Sequence, residues 1–171
     1  KIFNEWCVAE GKVFNNLNII NNLDDYAIRE IGVGIDYGSV NPTTFVPIAL
    51  AYHKISKQWK LIRLPIYYHD PKENNDQPTT EYYSSQLRLF LLHLKELYPH
   101  IPITTIVIDS EATHYHNRLL ADNIPHELAK KGPGSVDNGV QHLQSLCDKE
   151  YFLILEGKSI KHINNDGTCI Y

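Results

Sequence analysis

The chain has 171 residues, 43% of them apolar and 21% charged, with 16 Lys+Arg against 20 Asp+Glu and a formal net charge of -4. These values fit one globular domain with a real core and exclude collagen, coiled coil and wholesale disorder. No run approaches the ~18 apolar residues of a membrane span, no signal-peptide pattern opens the chain, and the acidic balance speaks against coating nucleic acid through bulk charge, though it leaves room for a local basic patch. The three cysteines, Cys7, Cys147 and Cys169, are far apart and form no C-x-x-C, which points to reduced thiols rather than a disulfide framework or zinc ribbon. Methionine is absent even at position 1, which suggests a piece of a longer protein.

Residues 1–29 read as a lead-in with two Asn pairs, Asp24-Asp25 and no clear period, enough for a turn and a short strand. From Ile31 the pattern sharpens: Ile31-Gly-Val-Gly-Ile-Asp36 predicts a buried strand that ends in an acid, and residues 38–42 supply turn chemistry. Residues 43–55, rich in β-branched and aromatic side chains, predict a second strand. Residues 59–68 predict a third, and the tight connection at Lys57-Gln58 makes the three an antiparallel meander. Residues 69–78 are polar and predict an exposed loop. Residues 80–98 predict a helix with Tyr83, Leu87, Phe90, Leu91, Leu94 and Tyr98 on one face, capped by Thr79 or Thr80 and stopped by Pro99 and Pro102.

A buried strand over 103–108 follows and ends in Asp109, then a short helix over 113–122 and a short strand over 125–129. Lys130-Lys131-Gly132-Pro133-Gly134 predicts a flexible basic loop. Ser135 is placed to cap a helix with Val136, Val140, Leu143 and Cys147 on its apolar face. Residues 151–155 predict a last strand, and the polar tail to Tyr171 carries no helical pattern. An antiparallel meander that runs into alternating helices and strands predicts an α/β domain with a mixed central sheet flanked by helices. This is the element order of the ribonuclease H-like fold, and actin-like ATPase domains share it.

Asp36 and Asp109 each follow a buried apolar run at a strand's carboxyl end, where α/β sheets place their ligand sites. In the fold just named the two strands are neighbours. Two facing carboxylates repel and stay ionised together only around cations, and such oxygen-rich sites suit Mg²⁺ or Mn²⁺. Two ions together can activate water and stabilise the leaving oxygen of a phosphodiester. The plainer alternative is a pair of solvated turn residues. Gly38-Ser39, directly after Asp36, could instead offer backbone N–H groups to a phosphate, as in the first phosphate motif of actin-like ATPases and sugar kinases.

The stretch from Trp6 to Leu155 resembles the nuclease domain of the large terminase subunit of tailed bacteriophages. The most specific motif is Gly34-Ile-Asp36-Tyr-Gly38-Ser-Val-Asn41-Pro42-Thr43. Trp6 with Glu10-Gly11-Lys-Val-Phe14, Gln77-Pro-Thr-Thr80-Glu81-Tyr82, Ile108-Asp109-Ser110-Glu111-Ala112 and Val136-Asp137-Asn138-Gly139-Val140 are similar to further segments of that family, in order. The resemblance implies a metal-dependent endonuclease that cuts concatemeric viral DNA, with Asp36 and Asp109 as ligands of two Mg²⁺ or Mn²⁺ ions. It implies double-stranded DNA, the portal protein and the small terminase subunit as partners, and the cytoplasm of an infected bacterium as the place of action. It also implies that residues 1–29 lead in from a preceding ATPase domain, that 30–171 form the nuclease domain, and that a third acidic ligand lies beyond Tyr171, since the tail lacks the expected helix. No Gly-x-x-x-x-Gly-Lys-Ser/Thr loop occurs in this chain.

Other candidates compete with plainer roles. Lys130 and Lys131 are placed to meet DNA phosphates or to stay solvated. Glu111 is either an acid just behind the ligands or a surface residue. His114 and His116, two apart on a helix, point away from one another and suit solvent better than a metal. Arg63 faces DNA or solvent, Tyr67 and Tyr68 suit the sheet better than base stacking, and Asp137 suits the positive end of a helix. Rival readings of the whole are an actin-like phosphotransferase, a Holliday-junction-resolvase-type nuclease, and a nuclease-like domain that only binds a partner or DNA.

Overall fold

The computed structural model describes residues 14, 16–75 and 77–171. The segment from Trp6 to Val13 that enters the resemblance lies outside them, as does Cys7. The described residues form ten strands and four helices: β1 (Asn18–Ile20), β2 (Tyr26–Asp36), β3 (Thr43–His53), β4 (Gln58–Arg63), β5 (Tyr67–His69), α1 (Pro71–Asn74), α2 (Thr80–Leu97), β6 (Ile103–Ile108), α3 (Thr113–Ala121), β7 (Glu127–Leu128), α4 (Ser135–Asp148), β8 (Phe152–Leu155), β9 (His162–Ile163) and β10 (Cys169–Ile170).

One mixed sheet runs β1-β8-β4-β3-β2-β6-β7, with β5 pairing on β3. Strands β2, β3 and β4 are the antiparallel meander, and β6 and β7 add in parallel beyond β2. This is the ribonuclease H-like order expected from the sequence. The chain then crosses from β7 to the far edge, where β8 pairs in parallel with β4 and with β1. Residues 18–20 and 26–29, read as lead-in, are therefore part of the sheet: β2 begins at Tyr26, five residues before the apolar run at Ile31.

Two prolines explain why the third strand is broken. The predicted strand over 59–68 is β4 and β5 separately. Pro47 on β3 and Pro65 opposite lack the N–H that a continuous ladder needs. The chain crosses this gap with one bond, Leu64 N–H to the Pro47 carbonyl at 3.0 Å, and β5 resumes against residues 43–45. The loop over 69–78 contains α1, a single turn capped by the Asp70 carboxylate on Lys72 N–H. Helix α4 is corrected in two places. Gly134 at φ 73° is its N-cap and Ser135 is already helical. Val136 is 72% exposed, so the apolar face packs only through its second half.

Alternation divides the sheet into two faces. Ile31, Val33 and Ile35 of β2, Phe45, Ala49 and Ala51 of β3 and Ile108 of β6 are buried under Tyr83, Leu87, Phe90 and Leu94 of α2 and Tyr115 and Leu119 of α3. The tail closes this layer. Gln86 on α2, itself buried, accepts from the Ile163 N–H and donates to its carbonyl, which anchors the β9–β10 hairpin. On the other face α4 lays Leu143, Leu146 and Cys147 on Ile48, Leu61, Phe152 and Ile154. It leaves Gly34 exposed and its strand neighbours Val46 and Val107 half-exposed. No described helix is long and apolar enough to cross a membrane.

Candidate metal centre at the carboxyl ends of two parallel strands

Strand register brings the two acids together. Ile35 on β2 is the partner of Ile108 on β6, in parallel, so the next residues, Asp36 and Asp109, stand side by side on strands about 4.8 Å apart. The packing fixes their direction. Ile35 at 6% and Ile108 at 1% exposure are driven into the core, so Asp36 turns to the opposite, open face. Tyr37 then returns to the core side. It stacks on Tyr115 with centroids 4.7 Å apart and meets Tyr83 edge-on at 5.8 Å. An exposed acid between buried Ile35 and half-buried Tyr37, whose ring stacks on Tyr115, is held on a rigid base.

The turn after Asp36 is tightly built. Thr43 is buried, and its hydroxyl both accepts from the Gly38 N–H and donates to the Gly38 carbonyl, each at 3.1 Å. A Cβ on Gly38 would press into the carbonyls of Asn41 and Pro42, so only glycine fits. Of the two N–H groups in the Gly38-Ser39 turn read as a phosphate-binding alternative, that of Gly38 is held by Thr43. Lys72 of α1 reaches the Asn41 side chain at 3.4 Å and adds a cation to this rim. The sequence reading did not single it out, although Asp70-Pro71 is a helix-start signal that could have placed it.

Asp109 sits in a different setting. Its carboxylate accepts the Glu111 backbone N–H at 2.8 Å and carries the Lys131 ammonium, also at 2.8 Å. The Glu111 N–H first, then Lys131, holds its carboxyl below the usual range, so it is a carboxylate at neutral pH. Lys131 also contacts the Glu111 carboxylate at 3.4 Å. Of the predicted basic pair, Lys131 is thus paired to acids while Lys130 is exposed. Glu111 is exposed and meets Asp109 through its backbone and through Lys131.

The remaining candidates separate from the pair. His114 is exposed, but His116 is not simply solvated: it bonds His126 at 2.7 Å, and His126 in turn bonds the Ile124 carbonyl. Spacing on one helix could not show this pairing, because His126 arrives from the β7 side. Arg63 is half-buried on β4, Tyr67 is fully buried against Phe45, Tyr68 is half-buried in β5, and Asp137 lies exposed in the first turn of α4. Glu81 is held by Arg118 at 3.1 Å. Among the described residues, no group of three His, Cys, Asp or Glu side chains is arranged to hold a metal ion.

The donor set of the pair fits a hard divalent cation: two carboxylates, no sulfur, and a cation already resting on one of them. Comparison with solved structures gives the same architecture. The large terminase from a thermophilic bacteriophage, in its crystal form 2, matches with TM-score 0.69 and 22% identity over 86% of this chain and 34% of that one. The large terminase nuclease from thermophilic phage G20c matches in its magnesium-bound form with TM-score 0.52 and 14% identity over 95% and 87%. Its zinc-bound form matches with TM-score 0.50 and 15% identity over 86% and 83%. The chain therefore spans about a third of the former, longer terminase and most of the G20c nuclease, and its fold is that of the terminase nuclease domain. No protein-family model and no curated protein sequence matches it.

Proposed function

We propose that the chain is the nuclease domain of a viral DNA-packaging terminase, a metal-dependent endonuclease that cuts double-stranded DNA at Asp36 and Asp109. The observation that carries this reading is the register that sets the two acids side by side at the open carboxyl edge of β2 and β6, in a fold shared with metal-bound terminase nucleases. Bound there, Mg²⁺ or Mn²⁺ would polarise the scissile phosphate and lower the pKa of an attacking water.

The protein's own residues supply the rest. Asp36 and Asp109 provide the negative charge, on strand ends fixed by Ile35, Tyr37 and Ile108. The face beside them is shallow, because Gly34 adds no side chain between Val46 and Val107. A phosphate backbone lying there is flanked by Lys72 on one side and Lys130 and Lys131 on the other. Two carboxylates offset two divalent ions incompletely, so one ion binds weakly until a substrate phosphate oxygen joins it, or until a third acid, expected beyond Tyr171, is added. An ATPase domain N-terminal to β1, the portal protein and the small subunit belong to the same reading.

The test is nicking of supercoiled plasmid. The chain should relax plasmid in millimolar Mn²⁺ or Mg²⁺ and not in EDTA. Asp36→Asn and Asp109→Asn should lose the activity and keep their circular dichroism spectra, since Asn preserves size and removes charge. Nicking retained by either variant overturns the assignment.

A further inference from the structure

We infer that Lys131 is a resident counter-ion of the acidic pair, which a divalent cation must displace from Asp109 before it can bind. The inference rests on the metal reading above and adds to it a built-in competitor.

Three observations place Lys131 in this role. The first is how the loop is anchored. Strand β7 is only two residues long, and the next residue, Ala129, donates its N–H to the Ile108 carbonyl at 2.8 Å. Ile108 is the residue before Asp109, so the basic loop springs from beside the acid, and Lys131 lies two residues further on. The second is contact: the ammonium sits 2.8 Å from the Asp109 carboxylate and 3.4 Å from that of Glu111. The third is the form of the loop. Beyond Lys131 come Gly132, Pro133 and Gly134, with Gly134 in the left-handed region and nothing within 4 Å of a Cβ built at Gly132. The loop is bound at its base and open at its crown.

Electrostatics gives the rest. A Lys ammonium is a point charge with three donors on a flexible stem, and it occupies the oxygens a metal needs. The Lys131 and Asp109 side chains are 37% and 34% exposed, so the pair is weak and can part. The ammonium lies 2.8 Å from each oxygen of Asp109, so an incoming divalent ion meets both an occupied oxygen and a repelling charge. A divalent ion, with twice the charge and support from Asp36, displaces the ammonium. Lys131 then keeps the Glu111 carboxylate at 3.4 Å and gains a DNA phosphate as a further partner at the rim. The loop thus partly offsets the acidic charge when the site is empty of metal and becomes a cationic contact once metal is bound.

Calorimetric titration with Mn²⁺ alone, without DNA, reads the competition directly. Lys131→Met should bind Mn²⁺ about three- to fivefold more tightly than the wild type, the size of effect that an exposed ion pair can oppose. Lys131→Arg should bind no more tightly than the wild type, because the competing charge is restored. Lys149→Met removes the same charge at the C-cap of α4, three residues before β8 and across the sheet from β6, and should leave affinity within twofold. Unchanged or weakened binding in Lys131→Met overturns the inference, since a lysine that merely props Asp109 in place would weaken binding when lost. Asp36→Asn and Asp109→Asn separate the two levels: if they bind Mn²⁺ as the wild type does, the metal centre itself is wrong and the competitor falls with it.

Discussion

Ile108 is the side chain through which packing reaches the site. It is 1% exposed, pairs in register with Ile35, and stands one residue before Asp109. Replacing it with alanine removes three buried carbons, about 2.4 kcal/mol of transfer free energy at ~0.8 kcal/mol each. The cavity left behind raises the cost to about 3–4 kcal/mol, inside the range of about 2–5 kcal/mol for such truncations. For a domain of this size that is roughly 6–16 °C in Tm, at about 2–4 °C per kcal/mol. Ile108→Val removes one carbon and should cost about 1 kcal/mol. Leu92→Ala, on the exposed side of α2 at 55% exposure, should stay within about 0.5 kcal/mol. Urea unfolding followed by circular dichroism measures all three. Mn²⁺ titration of the still-folded Ile108→Val variant should show weaker binding, because the strand end that aims Asp109 is loosened. A cost below about 0.5 kcal/mol for Ile108→Ala would refute the account of β6 as the packed support of the site.

Three further outcomes follow from the geometry. A Cβ built at Gly34 comes no nearer than 4.0 Å to the Val46 carbonyl, so Gly34→Ala should leave Tm unchanged or raise it while increasing KM for plasmid; unaltered cutting kinetics would argue against DNA lying on this face. The Asp122 carboxyl is pulled down to about 2, by Arg118 first and then Ser84, against about 3.9 in an unfolded chain. The folded state therefore binds fewer protons, and the stability this group supplies is complete above about pH 4 and lost as pH falls toward about 2. Urea midpoints across that window should fall less steeply in Asp122→Asn than in the wild type, and equal slopes would sink the assignment. Finally, if Lys130 meets a DNA phosphate, Lys130→Ala should lower the slope of log K against log salt by about 1 for every sequence tried; an unchanged slope would place Lys130 in solvent.

The sequence was most legible where one physical signal dominated. The apolar runs ending in Asp36 and Asp109 named both strand ends, and the spacing of Tyr83, Leu87, Phe90 and Leu94 named α2, because burial alone decides those positions. It was least legible where long-range partners decide. Ser135 has the chemistry of a cap, yet Gly134 takes that place by adopting φ 73°. Val136 fits an apolar stripe that the sheet does not reach. His116 read as solvated and Lys131 as a DNA contact or a solvated loop residue, and each is claimed by a residue from elsewhere, His126 and Asp109. The same holds for Gly38, whose N–H looked available until the fold returned Thr43 to it. That β2 and β6 end side by side followed from element order, because the ribonuclease H-like order makes those strands neighbours.

Anomalous diffraction from crystals soaked in Mn²⁺ tests the central claim most directly. A peak is expected within about 2.0–2.2 Å of oxygens of both Asp36 and Asp109, with the Lys131 ammonium withdrawn from Asp109. A peak elsewhere on the protein, or none at saturating Mn²⁺ with Lys131 still on Asp109, would contradict it.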